Sequence, residues 1–87
     1  MMPDPAPPPT EDFRILGDVG AALFQPWIIA HAAKLGLTGR IVAQTDDYID
    51  MRFSGPPDLL DALAVGCSLG PRDVWVDRID RARVTGD

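Results

Sequence analysis

Phe13-Arg14-Ile15-Leu16-Gly17-Asp18-Val19-Gly20-Ala21-Ala22-Leu23-Phe24-Gln25-Pro26-Trp27 joins an apolar segment to a helical one through a turn built mostly of small residues. Phe13 to Leu16 reads as a strand that ends at Gly17. From Phe24 to Leu35, apolar residues fall at 24, 27, 28, 32 and 35, the spacing of a buried helical stripe. Pro26 has no N–H and is tolerated only in a first turn, so the helix starts near Leu23 to Gln25. Gly36 stops it. A strand entering a helix through Gly17, Asp18, Val19, Gly20, Ala21, Ala22, Leu23 and Phe24 leaves several backbone N–H groups without regular partners. Together with the positive end of the helix, those groups can cradle an anion. Equally, the small residues let strand and helix pack closely.

Working outward, Gly39 to Thr45 supplies a second strand and Asp46-Asp47 a tight turn. Tyr48 to Ser54 alternates cleanly: Ile49, Met51 and Phe53 are expected in a core, with Tyr48, Asp50 and Arg52 toward water. Gly55-Pro56-Pro57-Asp58 opens a second helix, where missing donors cost least and an acid complements the dipole. Leu59, Leu60, Leu63 and Cys67 form its buried stripe, and Gly70-Pro71 ends it. Gly66 inside this helix weakens it by about 1 kcal/mol relative to Ala. Val74 to Val84 is the last strand. Its apolar members, Val76, Ile79, Ala82 and Val84, are not spaced strictly by two, so a bulge or bend is expected. Upstream, Met1 to Asp12 carries prolines at 3, 5, 7, 8 and 9 and reads as a disordered, Pro-rich tail, leaving 13–85 as the folded domain. A proline-recognising partner for that tail is the alternative.

The order strand, helix, strand, strand, helix, strand predicts an α+β fold, the ferredoxin-like βαββαβ sandwich. Its four-stranded antiparallel sheet carries both helices on one face.

Composition narrows function. The chain has 87 residues, enough for one core without metal or disulfide, and its 46% apolar and 24% charged content is that of a globular domain. A net charge of −5 argues against non-specific nucleic-acid binding, which needs a basic footprint. Cys67 is the single cysteine and His31 the single histidine, so neither an intramolecular disulfide nor a zinc site is expected. No apolar run approaches the roughly 20 residues needed to span a bilayer. The N-terminus lacks the basic and apolar regions of a signal peptide, and the expected location is the cytoplasm.

From Phe13 to Val84 the chain resembles the acylphosphatase family. That family's signature is Gly-x-Val-Gln-Gly-Val-x-Phe-Arg after the first strand, then a helix ending in Leu-Gly-Leu-x-Gly-Trp-Val-x-Asn. Gly17-Asp18-Val19 and Phe24 match the first part, and Leu35-Gly36-Leu37-Thr38-Gly39-Arg40-Ile41 the second. Gly55-Pro56, Gly70-Pro71 and Val76 fall where the family has their counterparts. The resemblance implies hydrolysis of acyl phosphates without metal or cofactor. In the family, loop amides and the signature Arg hold the phosphate, and the Asn of the second strand orients the attacking water.

At those two positions this chain has Gln25 and Ala43. A permanent, two-pronged charge becomes a neutral amide, and a carboxamide becomes a methyl. Asp18 adds a negative charge where the family often has a basic residue. Gln44 is a carboxamide one residue along, but strict alternation points it to the opposite face. Arg14, Arg40 and Arg72 lie where the family does not bind phosphate. The expectation is a domain without catalysis that binds a small anion or small molecule at the loop, or a protein. The alternative is a weak or altered acylphosphatase.

Other candidates have plainer readings. His31 is expected as a partly exposed helix histidine, Cys67 as an inert core thiol and Asp46-Asp47 as a turn. Asp77 to Arg83 alternates acid and base, as a solvated strand face with cross-strand ion pairs does. The first helix has Ile29, Ala30 and Ala33 off its buried stripe, so that surface is expected to meet a protein partner or a second copy.

Overall fold

The computed structural model describes residues 8–84. Its elements run β1 (Thr10–Asp18), α1 (Phe24–Lys34), β2 (Thr38–Gln44), β3 (Tyr48–Ser54), α2 (Pro57–Leu69) and β4 (Trp75–Arg83). All pairings are antiparallel and the strand order is β2-β3-β1-β4. This is the sandwich that the element order predicts. Alternation on the two central strands builds its single core: Phe13 and Ile15 from β1 and Ile49, Met51 and Phe53 from β3 are all buried. They meet Phe24, Ile28 and Ala32 from α1 and Leu60, Leu63 and Cys67 from α2. Side chains of this size each contribute roughly 1.5–3 kcal/mol when fully removed from water.

The opposite face of the sheet is open and charged. Arg14 grips Asp50 through two bonds of 2.7 Å, and Arg52 grips Asp12 at 2.7 and 3.0 Å. The Arg14 guanidinium also lies 4.3 Å from the centre of the Tyr48 ring. These are cross-strand pairs fixed by register: Arg14 opposes Asp50 and Asp12 opposes Arg52.

Residues 10–12 depart from the expected tail. They are part of β1, because the ladder to β3 continues through Thr10 opposite Ser54 and Glu11 opposite Phe53. Glu11 is buried and accepts two bonds from Arg81, at 2.9 and 3.1 Å. Arg81 also reaches Asp61 on α2 at 2.9 Å and so ties the edge strand to the helix above it. Pro9 is tied in as well, its carbonyl accepting from Gly55 N–H at 3.1 Å, and residues 1–7 of the expected tail lie outside the described residues.

The bulge expected in the last strand is present. Leu16 opposes Arg78 while Gly17 opposes Val76, so Asp77 is the extra residue. Gly17 is required there. Its φ is +149°, and a Cβ would fall 2.2 Å from the Trp75 carbonyl oxygen. Past the slip Ala82 opposes Asp12 and faces the open side. Gly66 also has a packing reason: a Cβ there would meet the His31 ring of α1, 2.1 Å from Nε2.

Candidate functional site

The segment between β1 and α1 is held from below by the β2–β3 turn. Gly17 N–H donates to the Asp47 carbonyl at 3.0 Å and Val19 N–H to the Asp46 carbonyl at 3.1 Å. The turn is stiffened in its own right, since Thr45 Oγ1 accepts from the amides of Asp47 and Tyr48 at 3.1 and 3.2 Å. Asp46-Asp47 is thus the turn expected from sequence, and it doubles as a brace for the loop. Gly20 sits directly on it, with an added Cβ only 2.5 Å from Asp46 Oδ1. Val19 and Phe24 are buried and anchor the two ends of the loop in the core. Between them, the amides of Gly20, Ala21, Ala22 and Leu23 find no hydrogen-bond partner among the described residues. Phe24 N–H closes the turn on the Ala21 carbonyl at 3.0 Å.

A slip in β2 decides which side chain faces this loop. Ile41 opposes Met51, but Ala43 opposes Asp50, leaving exposed Val42 as the extra residue. Asp50 belongs to the open face and Ile49 to the core. Ala43 therefore shares its register position with the open face, and Gln44, opposite Ile49, turns toward the helices. Strict alternation had assigned Gln44 the other way. A bulge inverts the alternation for every residue beyond it. Gln44 Nε2 donates to the Val19 carbonyl at 3.0 Å, and Gln44 Oε1 accepts from Gln25 Nε2 at the start of α1. Two neutral carboxamides thus bridge β2, the loop and the first helical turn.

Beside this bridge lies an open recess of about 510 Å³, lined by Gly20, Ala22, Gln25, Ala43, Gln44 and Asp46 among others. Among the described residues no Lys or Arg lines it, and Asp46 is the one charged residue that does. Asp18 is exposed at the end of β1, opposite Trp75 and outside the lining. Of the arginines considered from sequence, Arg14 is committed to Asp50, and Arg40 stands opposite Arg52 on the open face. Arg72 follows α2. A recess of similar size, about 500 Å³, lies on that open face, but Arg14, Arg52, Asp12 and Asp50 in its lining already neutralise one another.

His31 belongs to the packing. It is half-buried, its ring stacks on Trp27 at 5.3 Å, and Nε2 is enclosed against Gly66 without a hydrogen-bond partner. Burial pushes the Cys67 thiol up to about 12, which keeps it protonated and unreactive. Among the described residues, no three His, Cys, Asp or Glu side chains gather as metal ligands, and no helix is long and apolar enough to cross a membrane.

Comparison with known proteins places this geometry. The family model described as Acylphosphatase matches residues 11–86. An acylphosphatase of Rhodospirillum rubrum is 32% identical over 72 residues, covering 83% of this chain and 76% of that protein. One of Nitrobacter hamburgensis is 29% identical over 66 residues, covering 76% of this chain and 67% of that protein. Among solved structures, an acylphosphatase from Coxiella burnetii superposes with a TM-score of 0.83 at 17% identity, covering 93% of this chain and 85% of that one. The acylphosphatase from Bacillus subtilis gives 0.81 at 18% identity, with 90% and 87% covered. The structures share the fold, and the family match and the sequence relatives establish more than that: the chain belongs to the acylphosphatase family.

Proposed function

We propose that the loop recess binds a small neutral or weakly anionic molecule and that the domain does not hydrolyse acyl phosphates at an enzyme's rate. The observation that carries this reading is the Gln25–Gln44 bridge in a lining with one carboxylate and no cation. A guanidinium about 4 Å from a phosphate oxygen is worth about 4 kcal/mol at an effective dielectric of 20. Removing it lowers the rate by about 10³ if the interaction develops in the transition state. The free amides of Gly20 to Leu23 remain as donors, and the carboxamides of Gln25 and Gln44 supply both donors and acceptors. That set suits a ligand that is polar without carrying full phosphate charge.

A second reading, a weak acylphosphatase, is favoured by one feature. Gln44 returns a carboxamide to the loop side of β2, so the water-orienting function of the family's Asn has a stand-in. The deficit then reduces to the single exchange of Arg for Gln25. The test is an assay with benzoyl phosphate on the unaltered protein and on Gln25→Arg. Activity appearing only in the variant supports the leading reading. Activity of enzymatic magnitude in the unaltered protein replaces it with the second. No activity in either means that the loop amides no longer converge on a phosphate, and the small-ligand reading stands on binding measurements alone.

A further inference from the structure

β4 is an edge strand, and its outward-facing backbone groups follow from one hydrogen bond. Val84 N–H donates to the Thr10 carbonyl at 2.8 Å, so residues 10 and 84 form a hydrogen-bonded pair of the antiparallel ladder. Such pairs alternate with non-bonded ones. Counting along the register, Asp12 with Ala82, Arg14 with Asp80 and Leu16 with Arg78 are bonded, while Phe13 with Arg81 and Ile15 with Ile79 are not. The N–H and C=O groups of Ile79 and Arg81 therefore point away from the sheet. Edges of this length are ordinarily blunted by charge. Here the charges are arranged to complement a copy of themselves.

Asp77-Arg78-Ile79-Asp80-Arg81 reads Asp-Arg-Ile-Asp-Arg. Turned end for end about Ile79, it sets Arg78 against Asp80 on both sides of an Ile79–Ile79 pair, while Arg81 stays with Glu11 and Asp61, and Asp77 accepts from Trp75 Nε1 at 2.9 Å. Ile79 is an outward-bonding position, as a two-fold centred on a hydrogen-bonded pair requires. The faces agree as well. Arg78 and Asp80 both lie on the open side, where they already form an ion pair at 3.2 Å within the strand. Ile79 and Arg81 stand opposite the core residues Ile15 and Phe13 and so take the helix side. The neighbouring registers that keep outward groups paired put Arg78 on Arg78 or Asp80 on Asp80, which is repulsive. The helix above the edge is left uncovered in the same region: Val65 is 60% exposed and Leu69 77%. A second copy seated on β4 carries its own α2 on the same side.

We propose that β4 pairs antiparallel with β4 of a second copy, centred on Ile79, to extend the sheet across a two-fold axis. This interface is separate from the loop recess and from the exposed apolar face of α1. The experiment is sedimentation of the full chain over a dilution series, with folding followed by circular dichroism. The unaltered chain is expected to dissociate on dilution, and more readily at high salt. Asp80→Lys places like charges opposite each other twice across the axis and should weaken the dimer about tenfold or more. The double reversal Arg78→Asp with Asp80→Lys restores both cross-axis pairs and should return the dissociation constant to near the starting value. A monomer at every concentration, a dimer indifferent to Asp80→Lys, or no rescue by the double reversal overturns the proposal. So does a dimer abolished by Ile29→Glu alone, which would put the contact on α1.

Discussion

The two edges of the sheet each carry one extra residue, and the two slips have opposite uses. In β4 the extra residue is Asp77, and it falls beside Gly17, whose φ of +149° opens the path from β1 into the loop. In β2 the extra residue is Val42, and the slip turns Gln44 under the loop to meet Val19 and Gln25. One bulge shapes the backbone of the site. The other selects the side chain that reaches it. Both lie on edge strands, where an unpaired residue costs no ladder bond on its outer side.

The largest expected effect tests whether the β2 slip has already repaired half of the site. Gln25→Arg alone should raise benzoyl phosphate hydrolysis by about 10²–10³, the usual worth of one preorganised stabiliser of developing charge. Ala43→Asn, at the position that linear alignment gives to the family's Asn, should add less than about threefold on top. Ala43 borders the recess, but its register partner is Asp50 on the open face, whereas Gln44 is the residue bonded to the loop. If Ala43→Asn is instead the change that confers activity, β2 is not slipped in solution as described.

Much of this was legible in the residues, and the exception is instructive. The clean alternation of Tyr48 to Ser54, the helical stripe from Phe24 and the Gly-Pro pairs at 55 and 70 suffice for the element order and the core. The irregular spacing of Val76 and Ile79 disclosed the bulge in β4, because apolar residues mark which way each position faces. β2 has too few such markers: between Gly39 and Thr45 only Ile41, Val42 and Ala43 are apolar, and they are consecutive. Counting forward from Gly39 leaves Gln44 outside. Counting back from the two-residue turn pairs Thr45 with Tyr48 and Gln44 with Ile49, a core residue, and gives the right face. The turn was the better origin, since hairpin register is set by the turn. The start of β1 was obscured for another reason. Glu11 and Asp12 look like tail residues until Arg81 and Arg52, far away in sequence, are seen to pair with them.

At the β4 slip, Gly17→Ala should destabilise the fold by about 2–3 kcal/mol, because a Cβ at positive φ is strained and its nearest neighbour is fixed backbone. Urea denaturation measures this directly. The Gly20 neighbour is a side-chain oxygen of Asp46, which can turn away, so Gly20→Ala should cost under about 1 kcal/mol. Equal costs at the two glycines would remove the distinction between a backbone requirement at the slip and simple crowding in the loop.

At the β2 slip, Gln44→Ala should cost about 1 kcal/mol, the net worth of the hydrogen bonds that it makes to Val19 and Gln25 in a partly buried setting. It should also erase most of the activity gained by Gln25→Arg. A variant that keeps that activity would mean that water is positioned by something other than this carboxamide.

The smallest effect concerns the open face between the two slips. The Arg14 hydrogen bonds hold the Asp50 carboxyl below its ordinary 3.8, and Arg52 does the same for Asp12. A depressed carboxyl adds stability that is complete above its unfolded pKa and is lost as pH falls through the folded value. Both pairs are partly exposed, with Arg14 at 49% and Asp50 at 28%, so solvent screening keeps the contribution of each small. Asp50→Asn should therefore leave the urea midpoint at neutral pH only slightly lower and flatten its decline below about pH 4. An unchanged acid limb in Asp50→Asn would place the acid sensitivity elsewhere, with Asp12 the next group to vary, since Arg52 holds its carboxyl down in the same way.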